Sequence, residues 1–202
     1  LSSHRVANNV PLISLGNQQA IIRAEVQRED RTLQIDLEIN ASKANRARIN
    51  GNPTRSQREL LGAIQIVYFS PEDLDLVRGE PGNRRDFLDR LLITRTPRLA
   101  GVIADYERVV KQRNALLKTR TSAAALVPWN EQLIKLGAEL TAERIALIDA
   151  LNPWVAKNYA NLNEVKPASI SYKCSTEGVT KNINDNITAL TRRLEEVAYQ
   201  EI

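Results

Sequence analysis

Hydrophobic and polar residues alternate along two runs near the start of the chain. Residues 20–28 place an apolar side chain at every second position, and residues 33–39 repeat the pattern soon afterwards. Alternation with a period of two is typical of a strand with one buried face. The polar pair Glu29 and Asp30 separates the runs, so the pattern predicts an antiparallel hairpin.

The next forty residues predict shorter elements. Residues 46–49 favour a third strand, closed by the turn-forming sequence Asn-Gly-Asn-Pro at 50–53. Ser56 and Glu59 have the spacing of a capping box, which predicts a short helix to about Gly62. The continuous apolar run at 64–69 then indicates a buried strand.

After Pro71 the pattern changes to a helical period. Pro-Gly-Asn at 81–83 supplies a turn and an N-cap. The helix that follows carries one apolar stripe, and Thr96 and Pro97 end it. That stripe consists of Phe87, Leu88, Leu91 and Leu92.

Two longer helices are predicted next. One runs to about Lys118, with Leu99, Val102, Tyr106, Val109 and Leu116 at helical spacing. The other covers residues 129–161 and carries Leu133, Leu140, Leu147 and Trp154 at intervals of seven. We expect the two to pair as an antiparallel hairpin, with Pro153 kinking or splitting the second. Residues 168–174 alternate like a strand, and residues 183–202 return to an amphipathic helix.

Composition narrows the class of protein. Of the 202 residues, 43% are hydrophobic and only 4% aromatic, which suits a folded and mainly helical chain. The net charge of +4 permits contact with nucleic acid but is weak support for it. The single Cys174 excludes an internal disulfide framework. No run reaches the about 18 to 20 uncharged apolar residues of a membrane span, so we expect no membrane association and a cytoplasmic protein.

The motifs of several enzyme classes are missing from the sequence. The eight glycines include no phosphate-binding loop ending in Gly-Lys-Ser/Thr and no dinucleotide fingerprint. With one histidine and one cysteine, neither a metal site nor a nucleophilic triad is indicated. We therefore expect no catalytic or metal-binding residues in this chain. It begins with Leu1 and contains no methionine, so we expect an interior piece of a longer protein.

One long motif and two shorter ones carry a family resemblance. The long motif is Phe-Ser-Pro-Glu-Asp-Leu-Asp-Leu-Val-Arg-Gly-Glu-Pro-Gly-Asn-Arg-Arg-Asp-Phe-Leu-Asp at 69–89. A second match, Tyr-Glu-Arg-Val-Val-Lys-Gln-Arg-Asn-Ala-Leu-Leu-Lys, occupies 106–118, and Ser-His-Arg at 3–5 is the third. Together these closely resemble the RecF family. The departure at Glu80, where a small residue or Asp is usual, is expected to alter only a surface turn. The motif residues are Phe69, Pro71, Glu72, Asp73, Leu74, Gly79, Pro81, Arg84, Arg85, Phe87, Leu88, Asp89, Tyr106, Gln112, Arg113 and Asn114.

The resemblance implies an α+β fold. Residues 1–80 would be the antiparallel β portion of a partial ATPase head similar to those of SMC proteins and ABC ATPases. Residues 81–202 would be a helical-hairpin arm and second lobe, with a strand near 168–174. In the family the phosphate-binding loop lies upstream of Leu1, and the signature motif and magnesium aspartate lie downstream of Ile202.

The same resemblance implies a function for a longer parent protein. RecF proteins act as weak ATPases that bind ATP and Mg²⁺, form ATP-dependent homodimers and clamp DNA at single-stranded gaps or junctions. They serve recombinational repair and the SOS response, and they help load the RecA recombinase with RecO and RecR. A cytoplasmic, nucleoid-associated protein is implied.

The resemblance also suggests residues near the nucleotide. Ser3, His4 and Arg5 would follow the phosphate-binding helix, where an arginine could reach nucleotide or DNA. Glu72 and Asp73 lie where related ATPases carry a metal-sensing residue. For His4 a structural hydrogen bond is the favoured interpretation, and for Asp73 so is capping of the following turn.

Several arginines remain as candidates from their positions alone. Arg84 and Arg85 open a helix, where the dipole disfavours cations, so a phosphate or carboxylate partner is expected, with Asp86 or Asp89 as local candidates. Gln112, Arg113 and Asn114 suit DNA or partner recognition or a solvated helix face. The densest basic patch could bind DNA if its members share a face. It comprises Lys43, Arg46, Arg48, Arg55 and Arg58.

Two functions of other classes stay open. In a non-enzymatic helical adaptor, the stripe of Leu133, Leu140 and Leu147 would face a partner protein rather than this chain's own helices. In a free-standing DNA-binding module, the arginine-rich β portion would act alone. Burial of the leucine stripe would argue against the first, and a weak salt dependence of DNA affinity against the second.

Overall fold

The computed structural model describes residues 8–28, 31–61, 63–64, 66, 69–119, 122–162 and 166–201. The chain divides into two compact units, Leu1–Ser70 and Pro71–Ile202. Each unit has its own hydrophobic cluster and is described by itself.

The first unit is built on a four-stranded antiparallel sheet. Its strands are β1 (Gln19–Arg28), β2 (Arg31–Asn40), β3 (Arg46–Ile49) and β4 (Asn52–Pro53), and they lie side by side in chain order. The predicted hairpin and third strand are thus confirmed, while the link at Glu29 and Asp30 lies outside the described residues.

The register of the sheet gathers its apolar residues on one face. Ile22 lies opposite Leu37 and Ala24 opposite Ile35, and Leu37 faces Ala47 on its other side. Because side chains alternate across a strand, this pairing puts the alternating residues of each strand into a common layer. The buried members of that layer and of the segment beyond it are Ile35, Leu37, Ile39, Ala47 and Leu60.

The turn between β3 and β4 needs residues that tolerate left-handed backbone. Asn50 has φ of 50° and Gly51 has φ of 79°, the conformation that Asn-Gly adopts most readily in a two-residue hairpin. The Asn50 side-chain oxygen also accepts a hydrogen bond from the amide of Gln34 at 2.8 Å. The predicted turn is therefore a hairpin connection tied to β2.

Two predictions for residues 56–69 are corrected. The predicted helix is only a 3₁₀ turn, Gln57–Leu60. The Glu59 carboxylate accepts a hydrogen bond from the amide of Arg55, so it does not complete the predicted capping box with Ser56. In the predicted buried strand, the described residues Ile66 and Phe69 are 73% and 80% exposed. A continuous apolar run shows no preferred face, so its burial depends on neighbouring elements that the pattern does not reveal.

The second unit is helical. After a 3₁₀ turn at Pro71–Leu74 come α1 (Asp75–Arg78), α2 (Pro81–Arg95), α3 (Leu99–Lys118), α4 (Ala123–Ala160) and α5 (Ile183–Glu201). The predicted end of α2 at Thr96 is confirmed. Its predicted start is wrong, since Glu80 holds the N-cap position and Pro81 opens the first turn. A proline is favoured there because its missing amide hydrogen would be unpaired anyway.

The predicted hairpin of α3 and α4 is confirmed. Arg98 beside the start of α3 pairs with Glu139 and Glu143, whereas Arg113 near its end binds Asn130, so the two helices run antiparallel. Their shared cluster with α2 contains Leu92, Leu99, Ile103, Leu140 and Leu147. The expected leucine stripe of α4 is thereby covered at its centre by this chain's own helices.

Helix α4 is longer and more continuous than the sequence predicts. It begins at Ala123 instead of residue 129 and passes through Pro128 and Pro153 without a break. Of the two outcomes predicted for Pro153, the split is therefore wrong, and the kink stays a prediction. A proline removes one backbone hydrogen bond, and the helix continues beyond it to Ala160. Trp154, predicted to extend the stripe, is mostly exposed.

Residues 168–174 are extended but do not form the predicted strand. Their burial alternates as predicted, with Ile170 and Tyr172 half-buried and Ser171 exposed. The amide of Ile170, however, donates to the side-chain oxygen of Asn152 in α4 at 3.1 Å. Alternation reports only that one face is covered, and here a helix provides the contact without a strand beside it among the described residues.

A buried asparagine fastens α5 to α4. The Asn186 side-chain oxygen accepts from the amide of Thr180 at 2.7 Å. Its amide nitrogen donates to the carbonyl oxygens of Thr180 at 2.9 Å and of Ala138 at 3.1 Å. The side chain is fully buried. Both of its N–H donors and one of the two lone pairs of its oxygen are used in hydrogen bonds.

Replacement of Asn186 by alanine is expected to lower the free energy of unfolding by about 1 to 3 kcal/mol, because the buried carbonyl oxygen of Ala138 and the part-buried amide of Thr180 lose their hydrogen-bond partner. Urea unfolding followed by circular dichroism measures the loss. Asn184→Ala, at an exposed position in the same helix, should change stability by less than about 0.5 kcal/mol. Equal effects of the two substitutions would contradict this role of Asn186.

Candidate functional site

The centre of the long motif forms a tight turn between α1 and α2. The amide of Gly79 donates to the carbonyl oxygen of Asp75 at 2.8 Å. A β-carbon added to Gly79 would lie 2.6 Å from that oxygen and 2.6 Å from Nδ2 of Asn83. Only glycine allows so close an approach, so the turn itself explains a glycine at this motif position.

Arg84 braces the same turn from the start of α2. Its Nη1 donates to the carbonyl oxygen of Gly79 at 3.0 Å and to that of Leu76 at 3.3 Å. Carbonyls at the end of a short helix lack backbone partners and accept such donors. The expectation that Arg84 pairs with Asp86 or Asp89 is therefore wrong. Arg85 and Asp86 are exposed.

The principal ion pair of the second unit joins two helices. Arg144 of α4 donates to both oxygens of Asp89 in α2, from Nε at 2.9 Å and from Nη2 at 2.7 Å. The two side chains are only 10% and 14% exposed. A guanidinium matches a carboxylate in this two-bond geometry. The motif residue Asp89 is thus the buried counterion of a helix distant in sequence.

Two tyrosines complete this cluster. Tyr172, in the extended segment, interacts electrostatically with the Arg144 guanidinium. Burial works to lower the pKa of Arg144, but the hydrogen bond and charge of Asp89 and the contact with Tyr172 raise it above its ordinary value. Burial raises the pKa of Tyr106 on α3, against the smaller opposing effect of Arg144. Arg144 therefore links side chains from α2, α3, α4 and residues 166–182.

The raised pKa of Tyr106 predicts an alkaline limit to stability. The folded chain resists ionisation of Tyr106 and the unfolded chain does not. The contribution of un-ionised Tyr106 to the free energy of unfolding is therefore full below pH 10.0 and is lost as the pH rises through the higher pKa of the folded chain. Urea unfolding between about pH 8 and pH 11 measures the slope. Tyr106→Phe should show a shallower decline over that interval. Identical slopes for the two proteins would contradict the prediction.

The second motif ends in residues with different environments. Arg113 is buried, and its Nε donates to the side-chain oxygen of Asn130 on α4 at 2.7 Å. Gln112 and Asn114 beside it are exposed. Of the three recognition candidates, Gln112 and Asn114 are thus exposed to solvent, while Arg113 joins the two helices.

Of the residues expected near a nucleotide, Glu72 and Asp73 are among the described residues. Glu72 and Asp73 lie in the 3₁₀ turn Pro71–Leu74, the first exposed and the second half-buried. Ser3, His4 and Arg5 lie outside the described residues. The other members of this motif segment, Phe69, Pro71 and Leu74, are exposed.

The candidate DNA-binding arginines are interleaved with carboxylates. On the face of the sheet opposite its core, Arg46 lies directly across from Glu38, and Arg48 lies across from Asp36. Side chains at such positions are close enough to attract each other, which reduces the positive field available to phosphate groups. Arg55 is exposed beyond β4 and Arg58 lies in the 3₁₀ turn Gln57–Leu60.

Sequence reasoning missed Arg144 and Tyr172. Arg144 stands between Leu140 and Leu147 at helical spacing, within the stripe predicted to be buried. A cation at a buried position demands a buried counterion, and this signal could have identified it. Nothing in the sequence singles out Asp89 over the other carboxylates as that counterion.

The described residues offer no cradle for a nucleotide or a metal ion. Gly16 and Gly51 lie in separate turns with positive φ, and the amide of Gly79 is already bonded within its own turn. In the described ranges no three metal-ligating side chains cluster. These described residues therefore do not fit ATP with magnesium. Nor is any described helix long and apolar enough to cross a membrane.

Similar sequences match the chain along its whole length. It is 44% identical to the DNA replication and repair protein RecF of Streptomyces avermitilis, covering 100% of this chain and 57% of that protein. It is 44% identical to RecF of Rhodococcus erythropolis, covering 100% of this chain and 53% of that protein. It is 40% identical to RecF of a Nocardioides species, covering 96% of this chain and 59% of that protein. The chain thus spans somewhat over half the length of these relatives. A scan against models of known families gives no match.

Solved structures match in fold. The recombination mediator protein RecF with ATPrS, in the RecFOR pathway, aligns with a TM-score of 0.90 at 22% identity, over 99% of this chain and 55% of that one. The same mediator with ATP aligns with a TM-score of 0.77 at 20% identity, over 98% of this chain and 56% of that one. The expected α+β architecture is confirmed. Sequence and fold agree along the whole chain, and the expected resemblance to RecF proteins is confirmed over somewhat more than half of their length.

Proposed function

We propose that the chain is part of a RecF-type protein that acts in DNA replication and recombinational repair. Residues 1–80 contribute the β-rich portion of an ATPase head, and residues 81–202 contribute the helical arm and second lobe. The observation that carries the proposal is the identity of 40–44% to proteins named as DNA replication and repair RecF. The relatives' name describes the whole protein, of which this chain supplies about half.

The nucleotide belongs to the longer protein in this proposal. ATP and Mg²⁺ would bind to residues that this chain does not contain, since its sequence lacks a phosphate-binding loop and its described glycines form no phosphate cradle. The chain alone would have no ATPase activity. Relatives in fold are described with ATP and with ATPrS, which supports nucleotide binding by the longer protein. Ser3, His4, Arg5, Glu72 and Asp73 are the residues of this chain proposed to lie nearest to it.

The partners follow from the same proposal. The longer protein would form an ATP-dependent homodimer that clamps DNA at gaps or junctions, and would act with RecO and RecR to load RecA within the SOS response. The naming of the RecFOR pathway for the structural neighbours supports this assignment. A bacterial cytoplasm and the nucleoid would be its location.

A segment exchange tests the proposal. The matching segment of Streptomyces avermitilis RecF is replaced by this chain, and the chimera is expressed in a strain that lacks its own RecF. We expect survival after ultraviolet damage to return to within a few-fold of that given by the unaltered protein. The matched control is a chimera with Arg144→Ala, which should not restore survival. A folded, soluble chimera that leaves survival at the level of the deletion strain would contradict the proposal.

DNA binding by the chimera and by this chain alone then separates the rival functions. The proposal predicts that only the chimera binds, with ATP and magnesium required. Steeply salt-dependent binding by this chain without nucleotide would favour the free-standing DNA module and Arg46, Arg48, Arg55 and Arg58 as its surface. The helical adaptor is disfavoured already, because Leu140 and Leu147 are buried among this chain's own helices.

A further inference from the structure

The turn between β3 and β4 contains the chain's one asparagine that precedes a glycine, Asn50 before Gly51. In such a pair the glycine nitrogen can attack the side-chain carbon Cγ of the asparagine, because glycine carries no side chain to shield its nitrogen. A bond forms from that nitrogen to Cγ, the bond from Cγ to Nδ2 breaks, and the proton of the nitrogen leaves with ammonia. Water then opens the cyclic imide to aspartate or isoaspartate. The reaction takes place within one chain and needs only water.

The backbone angles of this turn decide whether the two atoms can meet. Asn50 and Gly51 have φ of 50° and 79°, and Ile49 pairs with Asn52 across them. Positive φ at both central residues defines a type I′ turn, in which ψ of the first is about +30°. At that ψ the β-carbon of Asn50 and the nitrogen of Gly51 lie on nearly opposite sides of the Cα–C bond. Ring closure requires them on the same side, so the folded turn holds the reacting atoms apart.

Hydrogen bonds on both sides of Asn50 hold it in this conformation. Its amide donates to the carbonyl oxygen of Gln34 at 2.8 Å, and its side-chain oxygen accepts from the Gln34 amide at 2.8 Å. Asn50 thus extends the β2–β3 ladder by one pair, with a side-chain oxygen in place of the backbone carbonyl. Its own carbonyl oxygen accepts from Nδ2 of Asn52 at 3.4 Å. Ring closure rotates that carbonyl and withdraws the side chain from Gln34, so the turn must open first.

The geometry points to Asn50 as a conditional deamidation site: the folded hairpin keeps the amide intact, and opening of the β3–β4 turn allows cyclisation through Gly51 to aspartate or isoaspartate. The aspartate product keeps an oxygen that can accept from Gln34. The isoaspartate product adds one carbon to the backbone between Ile49 and Asn52, which the tight geometry of a two-residue loop does not accommodate. Isoaspartate therefore makes an opening of the hairpin permanent. This inference is independent of the proposed function.

Mass spectrometry of peptides from the chain, incubated at mildly alkaline pH with and without denaturing urea, tests the proposal. In the unfolded chain Asn50 should deamidate faster than every other asparagine, since it alone precedes glycine. In the folded chain its rate should be lower by roughly tenfold or more, because only the small fraction of open turns reacts. A slow reaction at Asn50 in the unfolded chain, or equal rates in the two states, would overturn the proposal.

Thr54→Pro loosens the hairpin without altering the reacting pair. The amide of Thr54 donates to the carbonyl oxygen of Ala47 at 2.9 Å, and proline removes that donor. The folded variant should deamidate at Asn50 several times faster than the wild type, and at the same rate when both are unfolded. The matched control Thr54→Val keeps the amide and loses only the hydroxyl, 3.3 Å from the same oxygen, and should react like the wild type. Equal rates in the two folded variants would contradict protection by the hairpin.

Hydrogen exchange in the wild type gives a test that does not depend on the folding of Thr54→Pro. Exchange of the Asn50 amide, which is bound to Gln34, measures the fraction of open turns at urea concentrations too low to unfold the chain. The deamidation rate at Asn50 should rise in proportion to that fraction. A rate that stays constant while the turn opens more often would rule out control by the hairpin.

Discussion

Replacement of Arg144 by alanine is expected to lower the free energy of unfolding of the second unit by about 3 to 5 kcal/mol. The substitution leaves the carboxylate of Asp89 largely buried without its counterion, and the charge then loses both hydration and pairing. It also removes the electrostatic interaction with Tyr172. Urea unfolding monitored by circular dichroism measures the change, which is a large part of the about 5 to 15 kcal/mol that stabilises a typical domain.

Two further variants make the result specific. Arg108→Ala removes an exposed arginine that pairs with Asp105 one helical turn away, and should cost less than about 1 kcal/mol. The double variant Asp89→Leu with Arg144→Met removes both charges and should recover most of the lost stability, since a buried pair of apolar groups avoids the cost of desolvation. If Arg144→Ala costs no more than Arg108→Ala, the buried pair does not hold α2 on α4.

Replacement of Gly79 by alanine is expected to destabilise the motif turn by at least about 2 kcal/mol, because an added β-carbon overlaps a backbone oxygen that cannot move without disrupting α1. The contact in question is the 2.6 Å approach to the Asp75 carbonyl. Chemical unfolding gives the loss of stability, and amide hydrogen exchange at residues 75–84 shows whether it is local.

Gly82→Ala is the matched control. Gly82 lies within α2, where an added β-carbon meets only the flexible end of Arg85 at 3.9 Å. Alanine favours a helix over glycine by about 1 kcal/mol, so this variant should be neutral or stabilising. Opposite signs for two glycine-to-alanine changes three residues apart would identify close packing at Gly79 as the cause. A loss at both positions would point instead to a general need for glycine in this segment.

Periodicity predicted much of the fold. The alternation in residues 20–28 and 33–39 is confirmed as β1 and β2, and the helical spacing from Leu99 onward as α3 packed on α4. These patterns are reliable because each strand or helix buries one continuous face, and burial of a face leaves a direct trace in the order of residues. The family resemblance, which rested on three short motifs, is confirmed along the whole chain.

The errors arose where the outcome depends on distant neighbours. The apolar residues Ile66 and Phe69 are exposed, and residues 168–174 are extended without a strand beside them in the described ranges. Both were predicted differently because a local pattern of residues does not show which element packs against it. The partner of Asp89 could not be found for the same reason, since Arg144 is distant in sequence. At Pro153 a local rule was overestimated, because the long helix continues through the proline.

The order of strands in the first unit has a consequence for its folding kinetics. Within the described part of the chain, each strand of the sheet pairs only with strands next to it in the sequence, so closing each ladder requires only a short loop. Loop closure costs little conformational entropy when the loop is short, and proteins rich in contacts between residues close in sequence fold quickly. This meander should therefore form rapidly once β1 to β4 are free to pair, through zipping from its turns rather than a search for distant partners.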